Sequence, residues 1–219
     1  MKKPAFPTKE EFIKAFVANI RHNQDEDFWA WMKMSDLISD HPRLAYQIIN
    51  EIRETHPSTD IKWYLDDAIK DLIQTHCSEF ADNANLPDDL SFDSNIPAFP
   101  TCEELISAWN KHWETENNEA TAWASSMMWD LSREQPEEIM PIILKILQQS
   151  KSIKVHAVTA AGPLEDLLAK YGNEYIDQVE AEAQRNPDFK SLLGGVWQSS
   201  MSDEIWNRVQ AIADYSRLN

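Results

Sequence analysis

The residues best placed to do chemistry gather around one dipeptide. His156 precedes Gly162-Pro163, and Glu165 and Asp166 follow it directly. A histidine that can approach a carboxylate has the make-up of a general acid–base pair. If Gly162-Pro163 ends one helix and starts the next, His156 lies on the first, and Glu165 and Asp166 fall in the opening turn of the second. That position suits carboxylates without any ligand, because they stabilise the helix dipole. The small residues Ala160, Ala161 and Gly162 would let backbones approach closely. Alternatively, Glu165 and Asp166 are ligands for a cation or a basic side chain in a groove.

Other chemistries find little footing. The histidines His22, His41, His56, His76, His112 and His156 include no HExxH spacing and no pair on one helix face. His76 and Cys77 are neighbours in sequence and diverge on a helix, so a catalytic Cys–His pair is not expected there. Cys77 and Cys102 form no CxxC pair and suggest neither a zinc site nor a disulfide framework. The acidic pairs Asp66-Asp67, Glu103-Glu104 and Glu137-Glu138 likewise point apart on a helix and read as solvated faces. With 4 glycines the chain has no phosphate loop, dinucleotide fingerprint or nucleophile elbow. No catalytic residue, metal ligand or cofactor site is assigned from the sequence.

The elements that hold these residues are helices, and they recur. Ala5-Phe6-Pro7-Thr8-Lys9-Glu10-Glu11-Phe12-Ile13 returns as Ala98-Phe99-Pro100-Thr101-Cys102-Glu103-Glu104-Leu105-Ile106. Thr8 and Thr101 can each cap a helix while Glu11 and Glu104 reach back from its third position. Trp29-Ala30 then matches Trp123-Ala124, Met34 matches Met128, and Asp36-Leu37 matches Asp130-Leu131. Pro42 matches Pro136, the Ile48, Ile49 and Ile52 set matches Ile142, Ile143 and Ile146, and Asp71-Leu72 matches Asp166-Leu167. The offset grows from 93 positions at Thr8 to 95 at Asp71, longer than one tetratricopeptide or HEAT unit.

We therefore expect an all-α fold of stacked helical hairpins, HEAT-like or α-solenoid-like, from an internal duplication. Residues 1–82 form the first repeat, 83–97 an acidic linker with Asp88, Asp89 and Asp93, and 98–219 the second. Helices are expected near 8–22, 26–40, 42–55 and 59–81 in the first copy. In the second they are expected near 101–116, 119–134, 136–149, 152–161, 163–171, 173–185, 187–198 and 202–217. Asn186 and Ser202 read as N-caps, Gly172 as a helix end, and Pro42, Pro136, Pro163 and Pro187 as first-turn prolines.

The second copy carries its own signature: Thr159-Ala160-Ala161-Gly162-Pro163-Leu164-Glu165-Asp166-Leu167-Leu168, then Leu192-Leu193-Gly194-Gly195-Val196-Trp197 and Ile205-Trp206. This half, over residues 100–210, resembles a bacterial domain-of-unknown-function family sharing the Ala-Gly-Pro-Leu-Glu-Asp run and the closing Trp pair. The family is uncharacterised, so the resemblance implies no activity. The first copy has Asp66-Asp67-Ala68-Ile69-Lys70-Asp71 in place of that run. Any dedicated site is expected in the second copy.

Charge narrows the partners. The 37 acidic and 20 basic residues give a formal charge of −17, a field that repels nucleic acid and anionic membrane and speeds encounter with basic partners. No apolar run approaches the roughly 20 residues that span a bilayer, and the N-terminus lacks the apolar stretch of a signal peptide. A cytoplasmic protein is expected. Of the 9 tryptophans, Trp109, Trp113, Trp123 and Trp129 have core spacing. Trp197 or Trp206, which border the Gln198-Ser199-Ser200-Met201 turn, are expected to lie exposed.

The expected function is a non-enzymatic acidic module that binds a basic protein partner, with Glu165, Asp166, Trp197, Trp206 and His156 as contacts. Its most concrete form is an immunity protein that neutralises a cognate toxin domain. A scaffold or homo-oligomer is one alternative, and an enzyme with a His–carboxylate site at His156, Glu165 and Asp166 is the other. The oligomeric state is not read from the sequence.

Overall fold

In the computed structural model, which describes residues 3–22, 28–76, 97–115 and 119–215, the regular structure is helical and no strand occurs among the described residues. Two compact units divide the chain, residues 1–100 and 101–219. The expected linker, 83–97, lies outside the described residues except for Pro97, as do the end of the 59–81 helix and Cys77. None of the described helices is long and apolar enough to cross a membrane.

The first unit contains α1 (Lys9–His22), α2 (Phe28–Asp40), α3 (Pro42–Thr55) and α4 (Thr59–His76). At the start of α1 the Glu11 amide donates to Thr8 Oγ1 and the Thr8 amide to Glu11 Oε2. Two donors that the first turn would leave orphaned are thereby satisfied. Phe12, Phe16, Leu37, Ile48, Ile49, Ile52, Ile61, Leu65 and Leu72 are fully buried, and they come from all four helices. Aromatic contacts order this core: Phe16 stacks on Trp31, which meets Tyr64 edge-on, and Phe99 packs on Phe12. Lys9 to Glu51 ties α1 to α3 at 2.8 Å, and Arg53 to Asp66 ties α3 to α4 at 2.8 Å.

The second unit opens with α5 (Cys102–Glu114), whose start repeats the reciprocal cap between Thr101 and Glu104. There follow α6 (Trp123–Glu134), α7 (Ile139–Gln149) and α8 (Ile153–Thr159). Ile139, Met140, Ile142, Ile143, Ile146 and Leu147 bury most of α7. Lys145 ties α7 to Glu103 of α5 at 2.6 Å. The Trp109 indole donates to Thr159 Oγ1 at 2.9 Å, and that hydroxyl donates to the Val155 carbonyl at 2.7 Å, both in the interior. α5 and α8 are therefore pinned by a buried polar contact, where a lost partner is costly.

After α8 the helix does not break. Ala160–Leu164 form one π turn leading straight into α9 (Glu165–Arg185), and the Glu165 amide donates to the Ala160 carbonyl five residues back. The expected stop at Gly162-Pro163 is thus corrected, and so is the placing of Glu165 and Asp166 at a free helix start. A proline ring collides with the carbonyl four residues before it, and the wider π spacing is one way a helix accommodates it. Pro163 and Leu164 are buried, so tertiary contacts hold the turn.

Gly172 is corrected in the same way. It lies inside α9, beside a kink at Tyr171 (φ −124°, ψ 22°), and does not end a helix. A Cβ on it would stand 2.9 Å from Cγ2 of Ile205, which is buried on α11 (Asp203–Ile212). The expected helix over 187–198 also ends early, as α10 (Pro187–Leu193). Asn186 and Ser202 do cap α10 and α11, accepting from the Phe189 and Ile205 amides.

The two glycines should respond oppositely to alanine. Nothing lies within 4 Å of a Cβ placed on Gly162, and its φ is not positive, so Gly162→Ala should be neutral or stabilising by up to about 1 kcal/mol. Gly172→Ala gains the same propensity but drives a methyl into a β-branched neighbour, for an expected net loss of about 1–2 kcal/mol. Urea unfolding of the two variants measures both.

Acid should weaken the fold. Hydrogen bonds from Thr101 hold the Glu104 carboxyl below its ordinary range, and Arg208, paired to both Glu180 oxygens at 2.7 Å, does the same to Glu180. A depressed folded pKa contributes stability above the unfolded value, about 4.3 for glutamate, which is lost as pH falls through the folded value. Asp166 has the opposite sign, because burial pushes it up despite Arg133 nearby. Its ionised form opposes folding, and protonation relieves that. Lys145 and Gln149 hold Glu103 low in the same way as Glu104 and Glu180 are held. With three carboxylates against one, the urea midpoint should fall on acidification below about pH 4.3, and Arg208→Met should flatten that fall.

Candidate functional site

Between α10 and α11 the chain makes a turn that displays one large side chain. Val196 and Met201 are buried on either side of it. The Met201 amide donates to the Gln198 carbonyl, Gln198 Nε2 donates to Asp203 Oδ1 at 2.8 Å, and Ser199 takes a left-handed φ of 45°. From α9, Glu165 Oε2 accepts the Trp197 amide at 3.1 Å. The turn is thus anchored at both ends, and the Trp197 ring stands 73% exposed. An indole held outward on a pinned backbone loses little entropy when a partner covers it.

Next to the turn, α8 and α10 enclose a cleft of about 400 Å³, lined by Lys151, Ile153, His156, Ala157, Asp188, Ser191, Leu192 and Gly195. Gly195 closes on the π turn: a Cβ there would meet the Ala160 Cβ at 3.0 Å. Ile153 on the rim is 79% exposed, and Lys151 lies 3.6 Å from Asp188. His156 donates through Nε2 to the Ser150 carbonyl at 2.9 Å, which fixes the ring against its own helix start.

The structure therefore brings together some of the expected contacts and not others. Glu165 and Trp197 are bonded, and His156 lines the adjoining cleft. No hydrogen bond joins His156 to Glu165 among the described contacts; each has another partner. Asp166 is half-buried and feels the charge of Arg133 on α6. Trp206 is half-buried on α11 and takes no part in anchoring the turn.

Trp129 and Ile153 are among the exposed apolar residues that escaped sequence reasoning. Trp129, expected in the core, is 53% exposed with the Arg133 guanidinium 4.4 Å over its ring. Its signal was the arginine four positions on, the spacing at which side chains meet on a helix. Ile153 follows the Ser152 cap and sits beside Lys154, while Val155 is the residue that turns inward.

The arrangement offers contact surface and little chemical apparatus. Among the described residues no cluster of three or more His, Cys, Asp or Glu could hold a metal ion. Burial pushes the Cys102 thiol up, away from the reactive thiolate.

A helical unit with an exposed aromatic turn is the class defined to this point, and comparison with known proteins adds a family. Residues 111–216 match the family described as "Family of unknown function (DUF6869)". The match includes the π turn, the cleft and the Trp197 turn. Neither the curated proteins nor the solved structures include a match to this chain.

Proposed function

We propose that this protein is a non-enzymatic binding module that docks a basic protein partner on the face formed by the Trp197 turn and the α8–α10 cleft. The observation that carries the reading is the indole of Trp197, 73% exposed on a turn that Glu165 and Asp203 hold in place. Aromatic anchors of this kind dominate protein interfaces, and Ile153 across the cleft supplies a second apolar contact. The formal charge of −17 favours a partner of opposite sign and speeds its encounter. The concrete form is an immunity protein that occludes a basic toxin domain, which requires a toxin gene beside this one.

The module is a duplicated helical unit whose hairpins stack. Support comes from the twin Thr–Glu capping boxes and from the tie between first and third helix. Glu51 stands at the place of Lys145 in the repeat register, and Lys9 at that of Cys102. Lys9–Glu51 and Glu103–Lys145 therefore tie the same pair of helices with charges exchanged and with the first-helix partner shifted by one position. An enzyme draws less support, since His156 and Glu165 are each engaged in holding backbone.

Co-purification at about 0.1 M and about 1 M salt, where the screening length falls from about 10 to about 3 Å, tests the reading. A basic protein should be retained at low salt by the wild type and released at high salt. Absence of any partner at low salt, or retention unchanged by Trp197→Ala, would contradict it.

A further inference from the structure

The first unit holds a groove of opposite character. α1 and α3 flank an open trough of about 480 Å³ whose floor is Ile13, Val17 and Ala18. Lys14, Arg21 and His56 stand along it together with Glu10, while Glu51 is taken by Lys9. Lys14 and Arg21 have no carboxylate partner among the described residues. They are seven positions apart on α1, so they share a face and sit about 10.5 Å apart along its axis.

The repeat register shows what has changed here. In the second unit Ser150 Oγ donates to Glu114 Oε1 at 2.8 Å, and Gln149 and Lys145 both reach Glu103, so α5 and α7 are bonded to each other along their length. Arg21 stands at the position of Glu114, and His56 at that of Ser150. No bond joins Arg21 to His56 among the described contacts, and His56 meets Thr55 through Nδ1. The Lys9–Glu51 tie spans this groove.

We infer that the α1–α3 groove is a docking site for an acidic amphipathic helix of a protein partner. Its apolar stripe would lie over Ile13, Val17 and Ala18, and carboxylates two helical turns apart would meet Lys14 and Arg21. The inference is independent of the Trp197 face and opposite to it in sign. It also runs against the charge of the whole chain, which by itself favours basic ligands. At about 0.15 M salt the screening length is about 8 Å, so contact charges outweigh the distant field.

The test uses two synthetic amphipathic helices, each with leucine on one face, one flanked by glutamate and the other by lysine. Fluorescence anisotropy measures their binding to the full chain and to a Lys14→Glu/Arg21→Glu variant whose unchanged melting curve shows that it folds. The glutamate helix should bind the wild type and lose at least about tenfold affinity in the variant, while the lysine helix loses none. The inference is overturned if the glutamate helix does not bind, or binds both proteins alike. Self-association of the wild type that the variant abolishes would also overturn it, by placing a second copy of the chain in the groove. Trp197→Ala should leave glutamate-helix binding unchanged, which separates this site from the other face.

Discussion

Trp197→Ala should weaken binding of the basic partner by about 2 kcal/mol, or about thirtyfold, while leaving the melting temperature of the free protein unchanged. The two outcomes separate because the ring is 73% exposed: its removal deletes contact area and opens no cavity. The backbone of the turn should survive, since Val196 and Met201 remain buried and Glu165 bonds the amide of residue 197 rather than its ring. Glu165→Ala removes that bond and should cost affinity through a looser turn. Glu165→Gln keeps an acceptor oxygen and should restore most of it. If glutamine fails as badly as alanine, the charge of Glu165 contacts the partner directly. Titration calorimetry for affinity and thermal melting for stability measure the series.

Trp109→Ala is the substitution expected to damage the fold most, by about 3–5 kcal/mol. The indole is buried on α5 against α8, and its truncation leaves a large cavity and removes the donor to Thr159 Oγ1, whose own proton stays on the Val155 carbonyl. Thr159→Val isolates the polar part. It leaves the Trp109 N–H buried without an acceptor and should cost about 1–3 kcal/mol, although the shape is nearly kept. Since the two residues share one contact, the double variant should be less destabilised than the sum of the singles. Urea unfolding of the three variants measures this, and strict additivity would mean that the hydrogen bond contributes nothing.

The parts of this structure that were legible in the sequence are those decided within one helical turn. The Thr8–Glu11 and Thr101–Glu104 boxes, and the Asn186 and Ser202 caps, depend on groups three residues apart, and all are found as expected. What sequence reasoning misread was decided by distant residues. Gly162-Pro163 has the composition of a helix stop, yet buried Pro163 and Leu164 and the close approach of Gly195 to Ala160 keep the helix running. Gly172 resembles a helix end, and its reason is Ile205, which lies on another helix. The polar turn pointed to Trp197 or Trp206 as exposed, and of the two it is Trp197 that stands out while Trp206 is half-buried. The anchor of Trp197 on Glu165, 32 residues earlier, was not legible, since nothing local links the two. The exposure of Trp129 was hidden because tryptophan at helical spacing has the same pattern whether it faces the core or stacks with its own arginine.

The most direct measurement of the proposed function is a calorimetric titration of the partner retained at low salt into the wild type and into Trp197→Ala, each at about 0.1 M and about 1 M salt. Binding should weaken with salt for both proteins and be about thirtyfold weaker for the variant at either concentration. Equal affinity of the two proteins, or binding that does not change with salt, would contradict a basic partner docked on the Trp197 face.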